Sequence, residues 1–165
     1  MQALIAVGSN SDAETNFRRL FAQIKTLEDI RLLKTSCVYR TAPVATHTGM
    51  GAQPSYLNAA LLVETAYSPA GLKNYLRNLE DELGRTRNRS DVVAIDLDLT
   101  MAVAPAQASN SPHTPLLAHP DLTRYAHVAV PCAEIAPDWV HPTHHRTLRS
   151  IAAGFAHIEM EIVKL

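Results

Sequence analysis

Two helical stripes, each flanked by strand-like runs, set the limits on how this chain can fold. Residues 3–7 are apolar and stop at Gly8, which reads as a buried strand ended by a turn. Ser11, Asp12, Ala13 and Glu14 form a capping-box pattern, and Phe17, Leu20, Phe21, Ile24 and Leu27 follow at helical spacing. The pattern predicts an amphipathic helix over 12–27. Residues 32–40 suit a strand. So do 56–65, with Tyr56, Asn58 and Ala60 on one face and Leu57, Ala59 and Leu61 on the other. Ser68-Pro69 is an N-cap followed by proline at the first helical position. Leu72, Tyr75, Leu76, Leu79 and Leu83 then mark a second buried stripe, and Gly84 marks its end. In 92–103 the alternation is clean, with Ile95, Leu97, Leu99 and Met101 on one face and Asp96 and Asp98 on the other.

The order strand, helix, strand, strand, helix, strand is the β-α-β-β-α-β arrangement of ferredoxin-like folds. The fold class is therefore α+β, with a mostly antiparallel sheet and its helices packed on one face. Further along, 104–118 reads as loop and 119–131 as containing a short strand around 126–130. An additional C-terminal helix is expected near 144–156, and the alternating tail 158–165 suits an edge strand. No repeat or linker divides the chain, so residues 1–165 are expected to form one domain. The stretch 41–55 is rich in Gly, Pro, Ala and Thr without periodicity, and a loop that long in a compact domain is either functional or disordered.

A net charge of −1 gives no electrostatic reason to expect nucleic acid or an anionic membrane as partner. The opening MQALIAVGSN is too short and too quickly polar for a signal peptide, and no apolar run approaches the ~20 residues of a membrane span. Cys37 and Cys132 form neither a disulfide framework nor a CxxC pair, which points to a reducing, cytoplasmic compartment and to two buried small hydrophobes.

Asp96 and Asp98 are the strongest chemical signal. Strand residues i and i+2 lie roughly 6.6 Å apart on one face, so two carboxylates can share hard cations at their oxygens. Magnesium favours such a set, with nucleotide phosphates and waters completing its shell. Just upstream, Arg85 and Arg87 are spaced to offer forked donors to phosphate oxygens. Tyr56 can stack on a flat heterocycle, and Asn58 offers both donor and acceptor to the edge of an aminopyrimidinone ring. Singly, each of these also fits a solvated face; together they gather metal, phosphate and heterocycle chemistry in one neighbourhood. His141, His144 and His145 read as solvated loop residues rather than a metal site, and His47 as an ordinary loop residue.

The chain resembles the 6-hydroxymethyl-7,8-dihydropterin pyrophosphokinase family of folate biosynthesis. The pieces that carry the resemblance are IAVGSN at 5–10, YRTAP at 39–43, QPSYLNAA at 53–60, SPAGL at 68–72, LEDELGRTR at 79–87, IDLDL at 95–99, HP at 119–120 and EIAP at 134–137. The resemblance implies transfer of a diphosphate from ATP to the pterin's hydroxymethyl oxygen, yielding AMP, with small-molecule partners and a monomer or weak dimer. It implies that Asp96 and Asp98 hold magnesium, two ions in the family's manner, and act catalytically with Arg85. Gln53, Glu80, Arg85, Arg87, Leu99 and His119 fall at ATP-contacting positions. Thr41, Ala42, Val44, Tyr56, Asn58 and His127 fall at pterin-contacting ones.

Three places depart from the family pattern. The loop NRSDVVA, 88–94, lacks the usual Trp and Arg. Tyr125 and His127 stand where an arginine and a phenylalanine are usual, and Arg124, adjacent, would point to the opposite face of a strand. Thr114 and Leu116 occupy the stretch where a basic residue is usual. These departures keep open a paralogue serving a methanopterin-type cofactor and a non-catalytic pterin- or nucleotide-binding homologue.

Overall fold

A computed structural model describes residues 1–43, 54–86, 92–104 and 115–165. The element order is β1 (Gln2–Ser9), α1 (Ala13–Ile24), β2 (Ile30–Thr35), β3 (Val38–Thr41), β4 (Tyr56–Thr65), α2 (Pro69–Glu82), β5 (Asp96–Val103), β6 (Pro115–Ala118), α3 (Asp121–Arg124), α4 (Ala126–Ile135), α5 (Leu148–Ala153) and β7 (Glu161–Val163). The strands make one antiparallel sheet in the order β6-β5-β1-β4-β3-β7, with β2 also pairing to β4.

The predicted strand over 32–40 is thus two segments laid end to end along β4. They break at Ser36, whose N–H donates to the Ala60 carbonyl (2.9 Å) while its Oγ accepts the Ala60 N–H (2.8 Å). The central order β5-β1-β4-β2/β3 is that of a ferredoxin-like core, and the tail pairs as an edge strand through β7.

Both faces of the sheet are covered, not one. Phe17, Leu20 and Ile24 of α1 and Leu72, Leu76, Leu79 and Leu83 at α2 pack on Ala3, Ile5, Leu61, Leu97 and Leu99. Leu122, Val128, Ala129, Cys132, Leu148 and Ile151 from α3 to α5 pack on Leu4, Ala60, Leu62, Met101 and Val103. Met101 therefore lies opposite Leu99, where alternation alone put the two together. In the β1–β5 register Leu4 faces Met101 and Ile5 faces Leu99, so Thr100 is an extra, bulged residue. Its Oγ1 donates to the Leu4 carbonyl (3.0 Å).

Other expectations fail for identifiable reasons. The strand around 126–130 is instead helix α4: its Val residues imitate a strand and Pro131 reads as its stop, but seven of its side chains are buried, and an all-round apolar helix belongs in a core. The capping box does not form; Asp12 takes the left-handed conformation (φ 44°) and makes no side-chain cap. The last helix begins only at Leu148, because Thr147 caps it and the segment before it turns back in a Val140–Thr147 bridge. Cys132 is buried, but Cys37 is exposed. His141 is also buried rather than solvated. The start of α2 follows prediction, with Ser68 Oγ accepting the Gly71 N–H (3.2 Å) and Pro69 next in line. No helix among the described residues is long and apolar enough to cross a membrane.

Candidate active site

The sheet register assembles the site. Gly8 pairs with Asn58 on one side and with Asp96 on the other. Ala6 pairs with Ala60 and Asp98. Residues paired across antiparallel strands share a face, so these make two rows across three strands. Leu4, Leu62 and Met101 continue that face into the core beneath α4. Side chains on β1 thus shrink from Leu4 through Ala6 to Gly8 as the face passes from packed core to the acidic pair. Asn58 Nδ2 donates to Thr41 Oγ1 (2.9 Å), which ties the amide to the end of β3.

Asp96 is held at its post from two directions. The Arg85 guanidinium donates to the Ile95 carbonyl (3.0 Å) and pairs with Asp96 Oδ1 (3.1 Å). On the other side, the buried Ser9-Asn10 pair fastens the lead-in to β5: Ser9 Oγ donates to the Ala94 carbonyl (2.6 Å) and Asn10 Oδ1 accepts the Val93 N–H (2.7 Å). Asn16 Nδ2 adds a bond to Ala94 (3.0 Å). The GSN motif at the end of β1 is therefore a clamp that sets where the acidic strand begins. Asp98 is exposed to solvent on its outer side, yet its pKa is raised, chiefly by the protein crowding its carboxylate and then because Asp96 stands beside it; His119 and Arg85 oppose the shift.

Beyond residue 100 β5 is covered by β6, which pairs only with Met101, Ala102 and Val103. Its first half keeps an outer edge, where Glu80 Oε1 accepts the Leu97 N–H (2.7 Å). A cleft of about 220 Å³ lies along this edge, lined by Lys73, Arg77 and Glu80 of α2, Asp96 through Leu99, and His119. His119 is fixed by its own N–H to Thr100 (2.7 Å) and sits with Nδ1 3.4 Å from Asp121 Oδ2. Lys73, Arg77 and Asp121 were not singled out from sequence. The i, i+4 spacing of Lys73 and Arg77 and the i, i+3 spacing of Arg77 and Glu80 placed them on one helix face, which is the signal that could have found them.

A larger cavity, about 500 Å³, opens at the other end of the row, lined among others by Thr41, Ala42, Arg124, Tyr125, His127 and Phe155. Arg124, at the end of α3, and His127, in the first turn of α4, line it together across the extended Tyr125; the opposite-face reading of Arg124 fails with the strand. Tyr125 and His127 stack with ring centroids 5.3 Å apart. Burial lowers the pKa of His127, so at neutral pH its ring is uncharged. The structure thus brings together Asp96, Asp98, Arg85, Glu80, Leu99 and His119 at one end, and Thr41, Ala42 and His127 at the other. Asn58 lies between them on β4, and Tyr56 pairs with Thr41 at that strand's start. Val44, Gln53, Arg87 and Arg89 lie outside the described residues. Among the described residues no cluster of three or more His, Cys, Asp or Glu side chains could hold a metal, the 141–145 histidines included.

An antiparallel ferredoxin-like sheet with two acids and converging cations at its open edge defines a small α+β domain of the phosphoryl-transferase kind. The family model for 7,8-dihydro-6-hydroxymethylpterin-pyrophosphokinase matches residues 4–137, and the chain belongs to that family. The 2-amino-4-hydroxy-6-hydroxymethyldihydropteridine pyrophosphokinase of Haemophilus influenzae is 33% identical over 165 residues, covering 96% of this chain and 95% of that protein. Its counterpart in Methylorubrum extorquens is 34% identical over 141 residues, covering 84% and 85%. A folic acid synthesis protein of Schizosaccharomyces pombe is 29% identical over 152 residues, 89% of this chain, which spans only 19% of that longer protein. The fold also matches the crystal structure of Plasmodium falciparum HPPK-DHPS with pteroate, at a TM-score of 0.65 and 10% identity, over 94% of this chain and 42% of that one.

Proposed function

We propose that the acidic edge of β5 is where this chain carries out its family's reaction, transfer of diphosphate from ATP to the hydroxymethyl group of 6-hydroxymethyl-7,8-dihydropterin, leaving AMP. One observation carries the assignment of residues. The register Asn58–Gly8–Asp96 sets an amide suited to a pterin edge and a carboxylate suited to a metal on one face, two strand spacings or about 10 Å apart. That span suits a small heterocycle whose reacting arm must meet a phosphate chain.

Asp96 and Asp98 fit magnesium. They are hard oxygen donors on one strand face, and the raised pKa of Asp98 marks a charge that a nearby cation would relieve. Bound there, magnesium neutralises phosphate charge and orients the chain for in-line displacement. Arg85, already against Asp96, provides a fixed cation for the transferred phosphates. Leu97 turns its N–H to the outer edge of β5, so by alternation Leu99 offers its backbone polar groups there too, beside Arg77 and Lys73. These groups and His119 hold the nucleotide. Asn58, Thr41 and Ala42 read the pterin, with Tyr56 and the neutral His127 ring as flat surfaces. Val44, Gln53 and Arg87, which lie outside the described residues, are assigned to the same ligand sets by the family resemblance alone. The reaction takes place in the cytoplasm, in a monomer or weak dimer.

The test is Asp96→Ala. AMP formation from ATP and hydroxymethyldihydropterin should fall by roughly 10²–10³, the scale set by losing one preorganised charged group. A variant that forms AMP at the wild-type rate would remove the acid pair from the mechanism.

A further inference from the structure

Gly8 has no conformational reason to be glycine. It lies inside β1, and the one described glycine with positive φ is Gly84. A glycine within a strand is less stable there than alanine and often marks the close approach of a ligand. Nor does packing demand it: a Cβ at Gly8 would meet Asn58 Oδ1 at 3.5 Å and Asp96 Cβ at 4.0 Å, both ordinary contacts. The fold would accept alanine. What an added methyl would occupy is the floor between the two side chains that this site uses.

We infer that Gly8 is a specificity-determining residue: its missing side chain is the space through which the 6-substituent of the pterin passes between Asn58 and the phosphates at Asp96. The inference rests on the reading under Proposed function. Gly8 is the register partner of both residues, so any ligand joining them along this face crosses it. Ala6, in the next row of that face, is small as well and packs against the core cluster that continues from Leu4.

The test compares wild type with Gly8→Ala for Tm, for magnesium-dependent binding of a non-hydrolysable ATP analogue, and for binding of two probes, 6-hydroxymethylpterin and unsubstituted pterin. The expected result is an unchanged or slightly raised Tm, unchanged analogue affinity, at least tenfold weaker binding of hydroxymethylpterin, and a smaller loss for unsubstituted pterin. Equal losses for both pterins, no loss for either, or a variant that fails to fold would each overturn the inference. If wild type itself binds neither pterin, the underlying assignment fails instead.

Discussion

Asp98 shows how one side chain can be set against the stability of its own fold. A raised carboxyl pKa means that the folded chain takes up a proton more readily than the unfolded one. This group's favourable contribution is therefore present below the unfolded carboxyl pKa, near 4, and lost as pH rises through the folded value. At neutral pH the charge is a small burden, screened because the side chain is exposed, that metal would relieve. Asp98→Asn should raise the Tm of the metal-free protein at pH 7 while lowering AMP formation at least tenfold; calorimetry and an AMP assay on one preparation check both. A variant that loses Tm would show that Asp98 serves the fold. The acidic pair was legible in the IDLDL alternation. Lys73 and Arg77 share a helix face by spacing, but only the tertiary placement of α2 brings that face to the cleft, and Asp121 reaches it only through its pairing with His119.

Helix α2 announced itself through Ser68-Pro69 and Gly84, local signals that the backbone obeys: the Gly71 N–H is capped and Gly84 takes φ +94°. Helix α4 hid, since β-branched Val128 and Val130 and the internal Pro131 oppose helix locally, and only burial against Leu4, Leu62 and Met101 overrides them. That error also misplaced Arg124. The Thr100 bulge was equally invisible, because it exists only in the pairing of β5 with β1. The turn before α5 contains a further element-scale device. His141 Nδ1 accepts the Thr143 and His144 N–H groups, both at 3.3 Å, while its Nε2 is buried without a partner. His141→Asn keeps an acceptor where Nδ1 stands and replaces the orphaned ring nitrogen with a shorter amide, so its stability should stay within about 1 kcal/mol of wild type. His141→Ala should lose about 1–3 kcal/mol by leaving the two N–H groups unpaired. Denaturant midpoints of the two variants decide; equal losses would contradict a capping role.

At the scale of the whole molecule, two core layers are joined by one sheet, and the site occupies the stretch of its second face that α4 does not cover. His127 and His141 both have lowered pKa values through burial. Their neutral forms contribute stability above the unfolded histidine pKa, about 6.5, and that contribution is lost as pH falls through the lower folded values. Thermal unfolding should therefore shift to lower temperature below about pH 6, and the His141→Asn variant should show a smaller shift. An unchanged pH profile in that variant would exonerate His141.

The proposed reaction at this sheet edge moves the terminal diphosphate of ATP to a hydroxymethylpterin in one step and releases AMP. Product analysis tests it most directly: the protein is mixed with ATP, magnesium and 6-hydroxymethyl-7,8-dihydropterin, and nucleotide products are resolved with and without the pterin. The expected result is pterin-dependent AMP, matched mole for mole by diphosphorylated pterin and absent when magnesium is chelated. ADP in place of AMP, or no nucleotide turnover at high protein concentration despite pterin binding, would contradict it.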